Sequence, residues 1–325
     1  MILTFQSKAK NFINKLYKRI NLPQRIFVLF SRTQKFLGLN ANNSEVNELS
    51  VYIKESLIEQ QMIRKSLTEM MDLLLDYQTT KLQNNHLNPL NAYGCKGFSQ
   101  TDEDGITIEI IKRLQLKNGT YAEFGVGNGM ENNTLILASM GWRGFWVGGE
   151  ELAFKTNSNN KFSYFKSWIT LDNILELTQK GIEQLQMNEI DLLSLDLDGN
   201  DIYFVERLLV NKIHPKIFIV EYNAQFPPPA RFQISYDSNH IWQGDNYFGA
   251  ALQNFNDLFK AHDYTLICCN SHTGTNAFFI QNKYIHLFPD VPKDISKIFV
   301  PPRYFLYQRF GHLQSPKVTE SILEC

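Results

Sequence analysis

Residues 121–151 read YAEFGVGNGMENNTLILASMGWRGFWVGGEE: an apolar run bent at Gly125, Gly127 and Gly129, then a helix-like segment, then a second apolar run. A strand, glycine turn, helix and strand in that order make a corner that cradles a nucleotide-like ligand, because a backbone without Cβ atoms can turn sharply and approach a ligand closely. The spacing is G-x-G-x-G, not the G-x-G-x-x-G of a dinucleotide site, and Glu123 stands just ahead of the bend. A carboxylate there repels a pyrophosphate but attracts the charged amino-acid end of S-adenosylmethionine, directly or through water. The competing reading is a surface turn that holds three glycines by chance.

Outward from this corner, apolar runs alternate with helix patterns. The runs cover 121–126, 145–147, 162–165, 191–195 and 217–220, and the helix patterns 105–116, 131–140, 171–187, 202–210 and 248–261. Such repetition implies a parallel sheet covered on both faces. Residues 264–269 and 276–280 flank the segment SHTGT and read as a hairpin. The predicted fold class is α/β, a Rossmann-like, doubly wound, mostly parallel sheet with an antiparallel C-terminal hairpin strand and a helical N-terminal extension.

In open α/β sheets ligands sit beyond the carboxyl ends of the strands, so the residues just after each run are the functional candidates. That rule selects Glu123, Phe124, Gly125, Gly127, Asn128 and Gly129 after the first run and Glu150 after the second. It also selects Asp196, Asp198, Asn200 and Asp201 in DLLSLDLDGND after the fourth, and Glu221 and Asn223 after the fifth. Clustered carboxylates repel one another unless a cation, a proton or a ligand amine neutralises them. An EF-hand is excluded, since the sixth position counted from Asp196 is Asp201, not glycine. Three readings stay open. Asp196 and Asp198 form a D-x-D pair for a metal and a nucleotide sugar. Alternatively Asp198, Asn200, Glu221 and Asn223 form an acceptor site, with or without Mg²⁺, in which a carboxylate takes the acceptor proton. Or Asp201 caps a helix and the other acids face solvent. The polar-aromatic insert after the fifth run, with His240 and Trp242, occupies the place of an acceptor-binding lid.

Composition bounds the rest. The chain has 325 residues, 43% of them hydrophobic, and suits one α/β domain with an extension. A formal net charge of −1 gives no field that points to nucleic acid. Residues 1–40 hold eight Lys and Arg and no acid, interleaved with aromatics, which fits a membrane-surface helix pair, a partner-docking arm or a merely solvated basic face. Residues 44–80 carry a heptad-like stripe of Val46, Leu49, Ile53, Ile63, Leu67, Met70, Leu74 and Tyr77, interrupted by Ser56 and Gln60. That stripe serves either packing on the chain's own domain or a homodimer. Residues 84–97 are rich in Asn, Pro and Gly and read as a linker. The expected divisions are 1–90, 91–283 and 284–325. Four cysteines show neither metal-ligand spacing nor a disulfide framework, and neither a secretory pattern nor an apolar run of ~20 residues is present. The expected location is the cytoplasm, with peripheral membrane contact through residues 1–40.

Four segments together resemble the FkbM-type methyltransferases and a bacterial relative of them: SQTDEDG at 99–105, EFGVGNG at 123–129, WITLDNI at 168–174 and LDLDGND at 195–201. The segments VEYNAQFPP, YDSNHIW, YFGA and NAFFI are similar to that relative in particular, and the likeness spans about 93–280. It implies a Rossmann-like fold, S-adenosylmethionine as methyl donor, and O-methylation of a sugar or glycan-related hydroxyl. It implies that Glu123, Gly125 and Gly127 line the amino-acid end of the cofactor, that Asp172 and Asn173 lie at the adenine, and that Asp196 and Asp198 stand where donor and acceptor meet. In the resembling proteins an acid ends the second strand and grips the ribose, whereas here Gly148 and Gly149 precede Glu150 and Glu151. Glu150 serves in that role if the loop folds back. If it cannot, a catalytically retired scaffold is the alternative.

Overall fold

The computed structural model describes residues 43–156 and 160–302, together with 316, 319, 320 and 323. The basic arm expected at 1–40 lies outside them. The chain divides into two compact units, Met1–Met71 and Asp72–Cys325. Helix α1 (Asn43–Asn85) starts in the first and ends in the second. No helix among the described residues is long and apolar enough to cross a membrane.

The second unit is built on seven strands: β1 (Thr120–Phe124), β2 (Arg143–Gly148), β3 (Phe162–Lys166), β4 (Leu192–Leu195), β5 (Ile217–Glu221), β6 (Tyr264–Cys269) and β7 (Asn276–Gln281). They lie in the order β3-β2-β1-β4-β5-β7-β6. Pairing is parallel from β3 through β5, and β7 runs antiparallel to both β5 and β6. The helices are α2 (Glu103–Arg113), α3 (Leu135–Ser139), α4 (Ile174–Gln184), α5 (Asp201–Val210) and α6 (Leu252–Ala261). The fold is Rossmann-like, as the alternation of runs and helix patterns requires.

Side chains alternate across a strand, so each central strand feeds two cores. Phe145, Val147, Leu193, Leu195, Phe218 and Val220 join one core with α4, α5 and α6. Trp146, Leu192, Ile217, Ile219, Phe278 and Ile280 join the other with α2 and α3. Both faces being covered, the strands are apolar at nearly every position, which is why they stand out in the sequence.

Two segments differ from expectation. Residues 131–134 do not begin the helix; α3 starts at Leu135, because the loop before it is tied to Glu123 as described below. The stretch read as a linker is not one. A 3-10 turn at Pro89–Tyr93 lies against β6, the edge strand, where Asn88 Nδ2 donates to the Ile267 carbonyl (2.7 Å) and Asn91 Nδ2 to the Cys269 carbonyl (2.8 Å). Both asparagines are fully buried, and their amides cover backbone acceptors that a bare edge would leave open. The second compact unit begins at Asp72, and Phe288, Ile298 and Val300 are buried in its cores.

Candidate functional site

The strand order reverses between β1 and β4, and the parallel strands all end at the same sheet edge. Ligands of open α/β sheets bind at such a switch point. Gly125 sits in the notch with φ +92°, and a Cβ there would fall 1.5 Å from the Asp196 carbonyl oxygen. Only glycine fits. Gly129, at φ +81°, is confined by Phe154 and Leu152. Gly127 is different: it is exposed, and a Cβ added to it would meet nothing within 4 Å. Beside Gly127, Asn128 accepts from the Met130 N–H (3.1 Å) and shapes the turn, while Phe124 is fully buried and packs edge-on against Phe145.

Glu123 is not presented to the crevice. Its Oε1 accepts from the Asn133 N–H (2.9 Å), and its Oε2 accepts from the Thr134 N–H (3.0 Å) and the Thr134 hydroxyl (2.5 Å). These amides belong to the loop that leads into α3, and Trp146 Nε1 donates to the same Thr134 hydroxyl (2.8 Å). The cofactor role that the resemblance implies for Glu123 stands beside this structural one. Burial pushes its carboxyl up to about 7, against the lowering effect of those donors. Glu123→Gln sets an amide N–H₂ against N–H donors on one side. The expected loss is about 1 to 3 kcal/mol of stability, read as the midpoint of denaturant unfolding; an unchanged midpoint would show that the loop holds without this cap.

The end of β2 explains the missing acid. A Cβ at position 148 would lie 1.8 Å from the Val126 carbonyl oxygen, so the backbone of the glycine turn excludes any side chain there. Glu150 is exposed, its carbonyl accepting the Tyr164 hydroxyl (2.5 Å), while Glu151 pairs with Lys166 (2.6 Å). Asp172 is exposed, and Asn173 ties its own loop by accepting from the Thr170 N–H and donating to the Trp168 carbonyl, both at 2.8 Å.

The acidic corner is brought together as expected. Oxygens of Asp196, Asp198 and Glu221 all lie within 4.8 Å of one another. Burial, followed by the neighbouring acids, pushes the carboxyls of Asp196 and Glu221 well above the ordinary range. Glu221 Oε2 is buried with no partner among the described residues. Asp198 is exposed and adopts φ +53°, a conformation that Asp tolerates better than most residues. Asp201 instead staples the turn, its two oxygens accepting the Leu197 N–H (2.9 Å) and the Gly199 N–H (3.0 Å).

Asn200 and Asn223 hold the lid. Asn200 Nδ2 donates to the Asp237 carbonyl (2.7 Å) and its Oδ1 accepts the Asp237 N–H (3.3 Å). Asn223 Nδ2 donates to the Asn246 and Phe248 carbonyls, each at 3.0 Å. Trp168 Nε1 donates to the Ser238 carbonyl (2.8 Å) and the Tyr236 hydroxyl accepts the Leu171 N–H (3.1 Å), so the loops after β3 and β5 are joined. This fastening brings His240 over Gly199, where a Cβ would lie 2.3 Å from its Cδ2. His240 Nε2 is buried there with no partner among the described residues, and the ring acts electrostatically on Asp198, partly offsetting the rise that burial causes.

One neighbour had no role in the sequence reading. Asn276 lies opposite Glu221 across β5 and β7, and its Nδ2 donates to the buried Glu103 (3.0 Å), which also accepts from Asn270 Nδ2 (3.1 Å). The SQTDEDG segment thus reaches the same sheet edge through Glu103, with Asp104 accepting the N–H groups of Gly97, Phe98 and Ser99. Burial raises the carboxyl of Glu103 as well. The signal was the motif itself; its position depended on β7, far along the chain.

No protein-family profile matches the chain, and no curated protein matches it. Among solved structures, a chain of the fibrillarin/Nop5p complex is similar at 11% identity and a TM-score of 0.29, covering 50% of this chain and 72% of that one. At that score the likeness adds nothing to what the strand order already shows.

Proposed function

We propose that this chain is an S-adenosylmethionine-dependent methyltransferase that O-methylates a sugar or glycan-related hydroxyl. The observation that carries the reading is the open space at Gly127 on the glycine turn after β1, at the β1–β4 switch point, on the same sheet edge that gathers the carboxylates of Asp196, Asp198 and Glu221. A ligand with a sulfonium and an ammonium group supplies positive charge there without bringing phosphates. The strand order with a reversed β7, and the four segments that resemble FkbM-type enzymes, agree with it. In this reading the glycine turn takes the amino-acid end of the cofactor, Glu150 at the rim takes the ribose, and Asp172 with Asn173 borders the adenine.

The lid supplies the acceptor side. Trp242 and Tyr247 are 44% and 50% exposed on it, and aromatic faces of this kind suit sugar rings. The reaction needs the hydroxyl aligned with the sulfonium methyl, and since the departing thioether is neutral, a weak base suffices. In this reading Asp198 or His240 takes that proton. Asp196, Asp198 and Glu221 offer the all-oxygen donor set that Mg²⁺ takes. If bound, it would orient the acceptor hydroxyl and lower its pKa.

The same three carboxylates favour a second reading, a metal-dependent nucleotide-sugar glycosyltransferase. Calorimetric titration separates the two. Binding of S-adenosylhomocysteine without metal is the expected result. Nucleotide-sugar binding that needs Mn²⁺, with no response to S-adenosylhomocysteine, would favour the second. Failure to bind either would favour a retired scaffold.

A further inference from the structure

We propose that α1 forms a parallel, in-register, two-stranded coiled coil with a second copy of this chain. The inference is independent of the proposed activity. Positions 46, 53, 60, 67 and 74 and positions 49, 56, 63, 70 and 77 repeat every seven residues and are apolar except at Gln60 and Ser56. The stripe exceeds the roughly three to four heptads that mark a coiled coil.

A stripe on a helix more often packs on the helix's own domain, and here the structure shows which face does that. In the part of α1 that belongs to the second unit, the inward residues are Leu75 and Thr79, 5% and 8% exposed, with Thr79 Oγ1 bonded to His272 Nδ1 (3.2 Å). Gln83 Nε2 continues that face by donating to Asp102 (3.0 Å). At about 100° per residue, Leu75 and Thr79 lie roughly opposite the stripe. Leu74 and Tyr77 accordingly stay 59% and 65% exposed, and Ile63, Leu67 and Met70 are 53%, 54% and 59% exposed. Packing within the chain leaves this seam uncovered among the described residues.

Two features select an identical, parallel partner. Gln60 occupies a core position of the heptad, where a polar side chain is tolerated opposite a second polar one; in register, it meets Gln60 of the other copy. Glu59 precedes that core position and Arg64 follows the next, so in a parallel pair each Glu59 faces the partner helix's Arg64 site, five residues on. An antiparallel pairing that set Gln60 against Ser56 would bring the two Glu59 side chains together instead.

Sedimentation of the full chain at micromolar concentration tests this. The expected species is a dimer. Leu67→Asp places a charge in the seam and should weaken association by at least about 100-fold, giving a monomer that retains the native circular dichroism spectrum. Ile58→Asp, exposed and off the seam, should leave the dimer intact. Gln60→Cys, in a chain whose Cys95 and Cys325 are changed to Ser, should cross-link on mild oxidation. A monomeric native chain, a dimer that survives Leu67→Asp, or a dimer that fails to cross-link through position 60 would each overturn the proposal.

Discussion

Gly127→Val should abolish measurable S-adenosylhomocysteine binding, raising the dissociation constant at least about 100-fold, while the melting temperature of the free protein moves by no more than about 2 °C. The two halves have separate causes. Nothing lies within 4 Å of the new Cβ, and Gly127 is not among the residues with positive φ, so the native backbone accepts a valine. The ligand, not the protein, would occupy the volume that the isopropyl group takes. Gly125→Ala is the matched control, two residues earlier on the same turn. There a single methyl meets the Asp196 carbonyl oxygen at 1.5 Å on a backbone at φ +92°. The loss should fall on the fold, about 3 to 5 kcal/mol or roughly 10 °C. Calorimetry and thermal melts on the two variants separate site from scaffold. Unchanged affinity in Gly127→Val would place any cofactor elsewhere.

The sheet was legible because its strands are buried on both faces and read as continuous apolar runs. Predicted strands at 162–165, 217–220 and 276–280 match β3, β5 and β7 within one residue. The carboxylate corner was legible for a related reason: strand ends project their next residues to one edge, so Asp196, Asp198 and Glu221 converge once the order of strands is known. What escaped depends on partners distant in the chain. The polarity of Asn88 and Asn91 suggested a linker, yet it is used on carbonyls of β6 about 180 residues away. Gly148 looked like a lost function and is a steric requirement set by the Val126 carbonyl. Asn200, read from the sequence as part of an acceptor site, clasps Asp237. His240, which the sequence places only in the lid insert, lies over Gly199 because Trp168, Tyr236 and Asn200 fasten the lid from three sides. Local sequence carries the strength of a side chain's preference for water; it does not carry the identity of the group that replaces the water.

The ligand-free protein should be more stable near pH 5.5 than near pH 8. Burial is the first cause of a raised carboxyl at Glu123, to about 7, and at Asp201, to about 6. It acts in the same direction at Glu103, Asp104, Asp196, Asp198 and Glu221. A carboxyl that is harder to ionise in the folded chain than in the unfolded one contributes stability that is complete below the unfolded value and is lost as pH rises through the folded value. For Glu123 and Asp201 that window runs from about 4 to about 7, and together they are worth on the order of 5 kcal/mol across it. Four groups that titrate in acid or near neutrality oppose the trend. Asp290 is held below the usual range by Arg113 and Asp294 by Ser296, and His86 and His214 are lowered by burial, so each of them loses stability in acid. The Asp290 and Asp294 effects fall wholly below pH 5, and the two histidines are only partly buried, so the carboxyls decide the sign between pH 5.5 and 8. The expected readout is a urea midpoint that falls as pH rises across this interval. A cationic ligand should reverse the loss, because it favours the ionised carboxylates; the stabilisation by S-adenosylmethionine should therefore grow with pH. A midpoint that rises from pH 5.5 to 8 in the free protein would show that the acidic corner is neutralised from within and needs no cation.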